Sequence, residues 1–294
     1  TGQFKTVNDG GAPIGTWASG GDLNTARRGY DVGAGTQTAA LMSGGYTTTV
    51  VANAEQYDGS SWTEVGDLNT ARFASAGSGT TYTAAFLASG LAPSRVTNTE
   101  IWDGSSWTEV NEVNTARNSF GGTGSSTAGL ITSGEIPSVT AKTESWDGTN
   151  WTEVADLNTA GKARITIGTY TSALAVGGST AAGAPFYAIV EQYDGSSWTE
   201  IADLNTGRGE GAATGTSALG LAFGGENPSA VAITEFWNGT SWTEVADLGT
   251  AVGNSAGAGT SSAGLSFAGQ APGVTAATEE FTAVDFQIKT VTTS

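Results

Sequence analysis

The feature that most constrains the fold of this chain is a phrase that returns six times. A tryptophan marks each unit, most often at the start of "WTEV", and the six are Trp17, Trp62, Trp107, Trp151, Trp198 and Trp242. A glutamate two residues before an aromatic residue is the second mark, and the six glutamates are Glu55, Glu100, Glu144, Glu191, Glu235 and Glu279. The third mark is an apolar run that ends in a small, mostly glycine-containing step, such as "LMSGG" at 41–45. A period of about 45 residues indicates a repeat architecture.

Each unit reads as four short β-strands. The first is rich in small residues, the second is the apolar run, the third carries the glutamate and the aromatic, and the fourth carries the tryptophan. Asp-Gly or Asn-Gly stands between the third and fourth strands, as at Asp58-Gly59 and Asn238-Gly239, and suits the positive φ values of a tight hairpin turn. Helical periodicity is missing and glycine is frequent throughout.

These units predict an all-β fold, a six-bladed β-propeller of four-stranded antiparallel blades. Small residues in the first strand suit the narrow centre of the ring, and tryptophan in the fourth suits its wide rim. The strand around Trp17 has no third strand before it, and the last unit has no fourth strand, so we expect Trp17 to complete the last blade and close the ring. The predicted domain is the propeller at 15–282, with extensions at 1–14 and 283–294.

Composition excludes several classes of function. The chain has no cysteine and no histidine, which removes disulfides, thiolate nucleophiles, zinc sites built on these residues and imidazole acid–base catalysis. A net charge of −17 argues against binding to duplex nucleic acid, because that requires cations to neutralise phosphates. Apolar runs are short and interrupted, so we expect no membrane insertion. We also expect no cofactor.

The glycine step, the aromatic about a dozen residues later and the tryptophan five residues after that resemble the kelch-repeat propellers over roughly 17–282. The wording "DGSSWTEVADLNTAR" also resembles degenerate kelch-like repeats of bacteriophage and marine-microbe surface proteins. The resemblance implies a non-catalytic binding module. Galactose-oxidase-like enzymes share the blade type, but their copper site requires histidine and a Tyr–Cys cross-link, and neither is possible here.

The loops between second and third strands vary between units, and variable loops on a fixed scaffold are where binding specificity usually lies. Antiparallel blades place these loops on one face, together with the "DLNTAR" links between blades, and place the Asp-Gly turns on the other face. The longest loop, at 179–190, carries Phe186 and Tyr187 and is the first candidate. The other candidate ligand-binding loop residues are Tyr46, Arg95 and Asn227.

The arginine that ends the repeated phrase has two interpretations. Arg27, Arg72, Arg117 and Arg208 occupy equivalent positions, with Arg164 near the equivalent position in the fourth unit and Val252 in the sixth. A broken ring of guanidinium groups near the channel mouth would bind a carboxylate or an acidic glycan. Alternatively, each arginine pairs with a local acid such as the repeated glutamate and joins blade to blade, which is the interpretation that repetition favours.

Three other repeated or isolated features have alternative interpretations. The tryptophans could stack on sugars, although their fixed strand position favours packing between or within blades. The "DGSSWTE" oxygens could bind calcium, although turn chemistry explains the Asp-Gly pairs and we expect no metal site. Glycosidase chemistry needs paired carboxylates, and the acids outside the repeat are Glu135, Glu210 and Glu226.

We therefore expect a non-catalytic binding or structural module on the outside of a cell or on a virion. Its partners would be other structural proteins or a host surface glycan or protein. A homo-oligomer is a further alternative for its assembly. A glycan-binding lectin and a structural decoration or filament subunit are the alternatives. "QFKTV" at 3–7 and "QIKTV" at 287–291 echo each other and are candidates for assembly contacts.

Overall fold

A computed structural model describes residues 14–29, 32–180 and 185–283, and it confirms the all-β, six-bladed propeller. No helix occurs in these ranges, and so none of them offers an apolar helix that could cross a membrane. The two echoing segments, "QFKTV" and "QIKTV", lie outside the described residues.

The strands are numbered in chain order and the blades from the first complete sheet. Blade 1 contains β2 (Val32–Thr36), β3 (Ala39–Ser43), β4 (Ala54–Tyr57) and β5 (Trp62–Val65). Blade 2 contains β6 (Ala76–Thr81), β7 (Ala84–Ala88), β10 (Thr99–Trp102) and β11 (Trp107–Val110), with the small hairpin of β8 (Leu91–Ala92) and β9 (Ser94–Arg95) in its long loop. Blade 3 contains β12 (Gly121–Ser125), β13 (Ala128–Thr132), β14 (Thr143–Trp146) and β15 (Trp151–Glu153).

The second half of the ring repeats this order. Blade 4 contains β16 (Ile165–Thr169), β17 (Ser172–Val176), β18 (Val190–Tyr193) and β19 (Trp198–Glu200). Blade 5 contains β20 (Ala212–Gly215), β21 (Gly220–Phe223), β22 (Thr234–Trp237) and β23 (Trp242–Glu244). Blade 6 contains β24 (Ala256–Gly259), β25 (Ala263–Phe267), β26 (Thr278–Ala283) and β1 (Gly15–Ser19).

The expected ring closure is present. Strand β1 pairs antiparallel with β26, and Trp17 lies opposite Phe281. The first strand of each blade contacts the first strands of both neighbouring blades, including β2 with β24 across the closure. The N-terminal strand therefore supplies the outer edge of the last blade.

Each blade places two aromatic side chains opposite each other on its third and fourth strands. The pairs are Tyr57–Trp62, Trp102–Trp107, Trp146–Trp151, Tyr193–Trp198, Trp237–Trp242 and Phe281–Trp17. Their ring centroids are 5.0–5.5 Å apart. Apart from the half-buried Trp17, the fourth-strand tryptophans are buried, so they form core and do not offer stacking platforms for a sugar.

The glycine step attaches each blade to the link that follows it. Its last residue is glycine in all six units, with φ between 105° and 119°, a conformation that costs other residues free energy. This glycine donates its N–H to the carbonyl of the residue at the repeated-arginine position of the next link, as from Gly45 to Arg72 at 2.9 Å. The preceding residue also has positive φ and is Ser89, Ser133 or Ala268 where the doublet is incomplete.

The two faces of the ring have the content that the repeat predicts. On the turn face, the turn between first and second strands meets the Asp-Gly turn, and a Cβ on Gly59 would lie 3.3 Å from Cβ of Thr38. On the loop face, the loops between second and third strands meet the links between blades. The non-repeated side chains are therefore held on one face by a repeated frame.

Candidate functional site

The repeated arginines lie inside the ring. Their side chains are 0 % exposed, and each contacts the repeated glutamate on the third strand of the following blade. The pairs are Arg27–Glu55, Arg72–Glu100, Arg117–Glu144, Arg164–Glu191 and Arg208–Glu235. The interpretation of the arginines as joints between blades is confirmed, and their burial leaves no ring of guanidinium groups on the surface to bind a carboxylate.

An asparagine completes each of these five joints, which we call junction clamps. In the second clamp, Asn69 donates its backbone N–H and its Nδ2 to Oε2 of Glu100 at 2.7 and 2.8 Å. The same Nδ2 also donates to the carbonyl of Trp107 at 2.9 Å. Burial lowers the pKa of the Arg117 guanidinium, and the neighbouring Glu144 opposes that shift.

The junction between blades 5 and 6 lacks both side-chain donors. Gly249 stands at the asparagine position and Val252 at the arginine position. Glu279 still accepts the backbone N–H groups of Gly249 and Thr250, at 2.6 and 3.0 Å. Val252 is buried against Phe281 and its neighbours. This junction is therefore held by backbone hydrogen bonds and apolar packing.

The fourth link reaches the same ion pair by a different route. Gly161 occupies the arginine position, and Arg164, three residues later, pairs with Glu191 at 3.2 Å. The hydroxyl of Tyr187 accepts from Nε of Arg164 at 3.0 Å and would lie 1.8 Å from a Cβ on Gly161. Burial raises the pKa of Tyr187, and Arg164 opposes that shift. The candidate Tyr187 thus fills the space left by the displaced arginine.

The mouth of the channel on the loop face carries the residues that vary. The residue after each glycine step, which we call the mouth residue, has five different identities in the six blades: Tyr46, Leu91, Glu135, Ser179, Glu226 and Gln270. Each forms a β-bridge with one residue of the link that enters its own blade, which we call its bridge residue; these are Arg28, Phe73, Asn118, Lys162, Gly209 and Gly253.

A series of backbone hydrogen bonds underlies these residues. In five blades the residue after the bridge residue has a left-handed backbone conformation, with φ between 52° and 60°. These residues are Ala74, Ser119, Ala163, Glu210 and Asn254. Each of the last four donates its N–H to the carbonyl of the one before, and Gly29 donates to Asn254, at 2.6–3.1 Å. The frame beneath the mouth therefore depends on backbone conformation and not on the identity of the side chains above it.

Bridge residues reach back to the mouth residue of the previous blade. Nζ of Lys162 lies 2.5 Å from Oε2 of Glu135. The rings of Phe73 and Tyr46 are 5.2 Å apart. Arg28 donates to Oε1 of Gln270 at 2.8 Å and lies over the Tyr46 ring. The candidate Tyr46 is thus half-buried between two neighbours.

The remaining candidates also lie on the loop face. Arg95 is 32 % exposed and bonds to Asn118 at 2.6 Å and Glu135 at 3.0 Å. Phe186 is half-buried, and its Cδ1 would lie 2.9 Å from a Cβ on Gly209. Asn227 is exposed beside Glu226. The structure therefore brings Arg95 and Phe186 to the mouth and leaves Asn227 at its rim.

Sequence reasoning did not bring Glu210 and Glu226 together. Nδ2 of Asn254 donates to Glu210 at 2.8 Å and to Glu226 at 3.3 Å, so one amide serves two carboxylates. Burial and, next in size, Glu210 raise the pKa of Glu226 to about 7, while Arg28 opposes the shift. Glu226 also lines a cleft of about 490 Å³ between blades 5 and 6, whose other walls include Ser229, Thr250, Ala251, Gln270 and Pro272.

The turn face offers a less specific chemistry. Hydrogen bonds from the Ser61 and Ser60 backbone and from the Ser60 hydroxyl lower the pKa of Asp58 to about 2, and equivalent bonds act on Asp103 and Asp194. These carboxylates already accept hydrogen bonds within their own turns. Within the described ranges, no cluster of three acidic, cysteine or histidine side chains could hold a metal ion.

The central channel encloses about 350 Å³ and is lined mainly by glycine, alanine and threonine of the first strands. Such walls offer few side chains for recognition. The loop-face mouth and its cleft are therefore the candidate site. No protein-family model matches this chain, and no curated protein matches it at a significant level of similarity.

Proposed function

We propose that this protein is a non-catalytic, kelch-like binding module displayed on a virion or cell surface, which contacts a host or neighbouring surface through its loop face. One observation carries the proposal: the six mouth residues have five different identities, whereas the backbone beneath them repeats one conformation in five of the six blades. Variation that is confined to one face of a rigid scaffold is the usual arrangement of a binding surface.

Surface display draws support from two properties of the chain. Its net charge of −17 favours solubility and keeps non-specific adhesion weak. The ring closure pairs strand β1 with β26 of the last blade, so that this blade also has four strands and β26 is not left as an open edge. The resemblance of the repeated phrase to surface proteins of bacteriophages and marine microbes points the same way.

The test compares one change on each face. The mouth variant carries Tyr46→Ser and Leu91→Ser. The turn-face variant carries Tyr170→Ser and Leu219→Ser, which remove two exposed apolar side chains at turns between first and second strands. Labelled protein is applied to a printed glycan array and to a panel of intact cells. We expect saturable binding that the mouth variant loses and the turn-face variant keeps. Binding that follows the turn face, or particle images with the loops buried in a lattice, would reject this function in favour of a structural subunit.

Glu210 and Glu226 stand too close together to act as the carboxyl pair of a glycosidase. They share one amide donor and hydrogen-bond to each other, whereas the catalytic carboxyl groups of glycosidases are about 5–10 Å apart.

A further inference from the structure

Two blades carry glutamate as their mouth residue, and the two glutamates have opposite surroundings. Glu135 of blade 3 lies 2.5 Å from Nζ of Lys162, the bridge residue of blade 4. It also lies 3.0 Å from the guanidinium of Arg95. This carboxylate therefore has two cations against it.

Neither cation has a counterpart at Glu226 of blade 5. The bridge residue of blade 6, equivalent to Lys162, is Gly253, and a Cβ there would lie 2.7 Å from Cγ of Glu226. In the blade before Glu135, the loop residue that bridges to that blade's own mouth residue is Arg95, and in the blade before Glu226 it is Phe186. The repeat thus supplies a direct comparison, in which lysine and arginine are replaced by glycine and phenylalanine.

At the equivalent junction the side chain of Glu226 lies directly against Gly253, and it also borders an open cleft. The cleft of about 490 Å³ lies beside Glu226 and is walled by short side chains such as Ser229, Ala230 and Ala251. This volume falls within the range of about 300–1,000 Å³ that is usual for small-ligand sites. Short walls give a long, thin side chain access to the carboxylate at one end.

The charge balance at this cleft is also incomplete. Glu210 adds a second carboxylate, and both share the neutral amide of Asn254. Arg28, whose charge lowers the pKa of Glu226, already donates to Gln270 and lies over Tyr46. A further positive charge would therefore be stabilised here.

We propose that the cleft between blades 5 and 6 binds the ammonium group of a lysine side chain presented by a partner protein, with Glu226 as its carboxylate ligand. The ammonium would stand in relation to Glu226 as Lys162 stands to Glu135. This inference rests on the proposed function of the loop face as a binding surface and adds the chemistry that one part of it recognises.

The test uses the full chain and a blocked pentapeptide with one lysine between glycines, titrated by calorimetry and by amide chemical shifts. We expect saturable binding at pH 8 with shifts centred on the cleft. Glu226→Gln should weaken it at least tenfold, whereas Glu135→Gln, the same change at the neutralised junction, should leave it unchanged. Because ionised Glu226 is the ligand, affinity should fall about tenfold from pH 8 to pH 6.

A second variant guards against misfolding as an explanation. Gly253→Lys places an internal lysine beside Glu226, whose Cγ has to move because it would lie 2.7 Å from the new Cβ, and it should abolish peptide binding in a protein that circular dichroism shows to be folded. An acetyl-lysine peptide, which is neutral, should not bind. Tighter binding of n-butylamine than of the lysine peptide would overturn the assignment to a protein side chain.

The outcomes separate this inference from the proposed function. Absence of saturable binding at pH 8, or binding that is equal in Glu226→Gln and the native protein, overturns the lysine site. If the mouth variant still loses its cell or glycan partner, the loop-face function stands without this site. If that partner is bound equally by the mouth variant, the loop-face function itself fails.

Discussion

Five junctions of the ring are closed by a buried ion pair, and the junction between blades 5 and 6 is not. At the five, an arginine and an asparagine of the link converge on one glutamate, as Arg117 and Asn114 do on Glu144. At the sixth, Glu279 keeps only the backbone donors of Gly249 and Thr250. The cleft that carries Glu226 lies at this same junction, and Thr250 is part of its wall.

The difference teaches which residues serve the ring and which are available for other purposes. A buried charge pair tolerates little change, because removal of one partner leaves the other charge unpaired and away from water. Backbone hydrogen bonds and apolar contacts do not depend on side-chain charge. The sixth junction can therefore vary its side chains at less cost, and it is where the mouth of the ring has opened into a cleft.

The largest expected effect comes from breaking a clamp. Glu144→Ala leaves Arg117 buried without its carboxylate and removes the acceptor of Asn114, so we expect a loss of about 3–5 kcal/mol in the free energy of unfolding. Glu279→Ala, the same change at the sixth junction, should cost less than about 1 kcal/mol, since the exposed backbone donors of Gly249 and Thr250 can bind water. Urea unfolding measures both, and equal losses would show that the ion pair adds nothing to the junction.

The outer tryptophans offer a smaller test of how blades are joined. Nε1 of Trp151 donates to the hydroxyl of Thr99 in the preceding blade at 3.0 Å. For Trp242, the residue equivalent to Thr99 is Val190, which has no hydroxyl, and Nε1 of Trp242 has no partner. Thr99→Val should cost about 1–2 kcal/mol, and Val190→Thr should gain up to about 1 kcal/mol. Thermal unfolding followed by circular dichroism measures both.

Thr143 supplies the matched control for this comparison. Its buried hydroxyl has no hydrogen-bond partner, because Trp198 donates instead to the carbonyl of Ala155 at 3.1 Å. Thr143→Val should therefore leave stability unchanged or raise it. A loss as large as that of Thr99→Val would mean that a methyl group in place of the hydroxyl is unfavourable at this position for a reason other than the hydrogen bond to tryptophan.

The sequence predicts what every blade requires and misses what depends on two adjacent blades. Strand order, ring closure and the arginine–glutamate pairing follow from residues that recur at one spacing, because each unit meets the same local need. The space that Tyr187 fills at Gly161 is not visible from spacing alone, since Arg164 reaches its glutamate from a displaced position.

The candidate site shows the same limit. The loop face could be predicted from the alternation of turns along the strands. The contact between one blade's mouth residue and the next blade's bridge residue could not be predicted. Glu226 and Gly253 belong to different units and meet only when blades 5 and 6 pack together. The repeat held a usable signal in the residue that follows each glycine step, where Glu135 and Glu226 stand at equivalent positions.

The smallest expected effect compares these two glutamates as a function of pH. Burial and Glu210 raise the pKa of Glu226 to about 7 in the folded protein, above that of a free glutamate, so its contribution to stability is full below about pH 4 and is lost as pH rises through 7. Allowing for its partial exposure, the loss by pH 8 is about 1 kcal/mol. Glu226→Gln should remove this loss and be the more stable protein at pH 8, whereas Glu135→Gln gives up two ion pairs and should not be stabilised. Urea midpoints at pH 5 and pH 8 decide it, and a pH dependence that is unchanged in Glu226→Gln would assign the titration to another group.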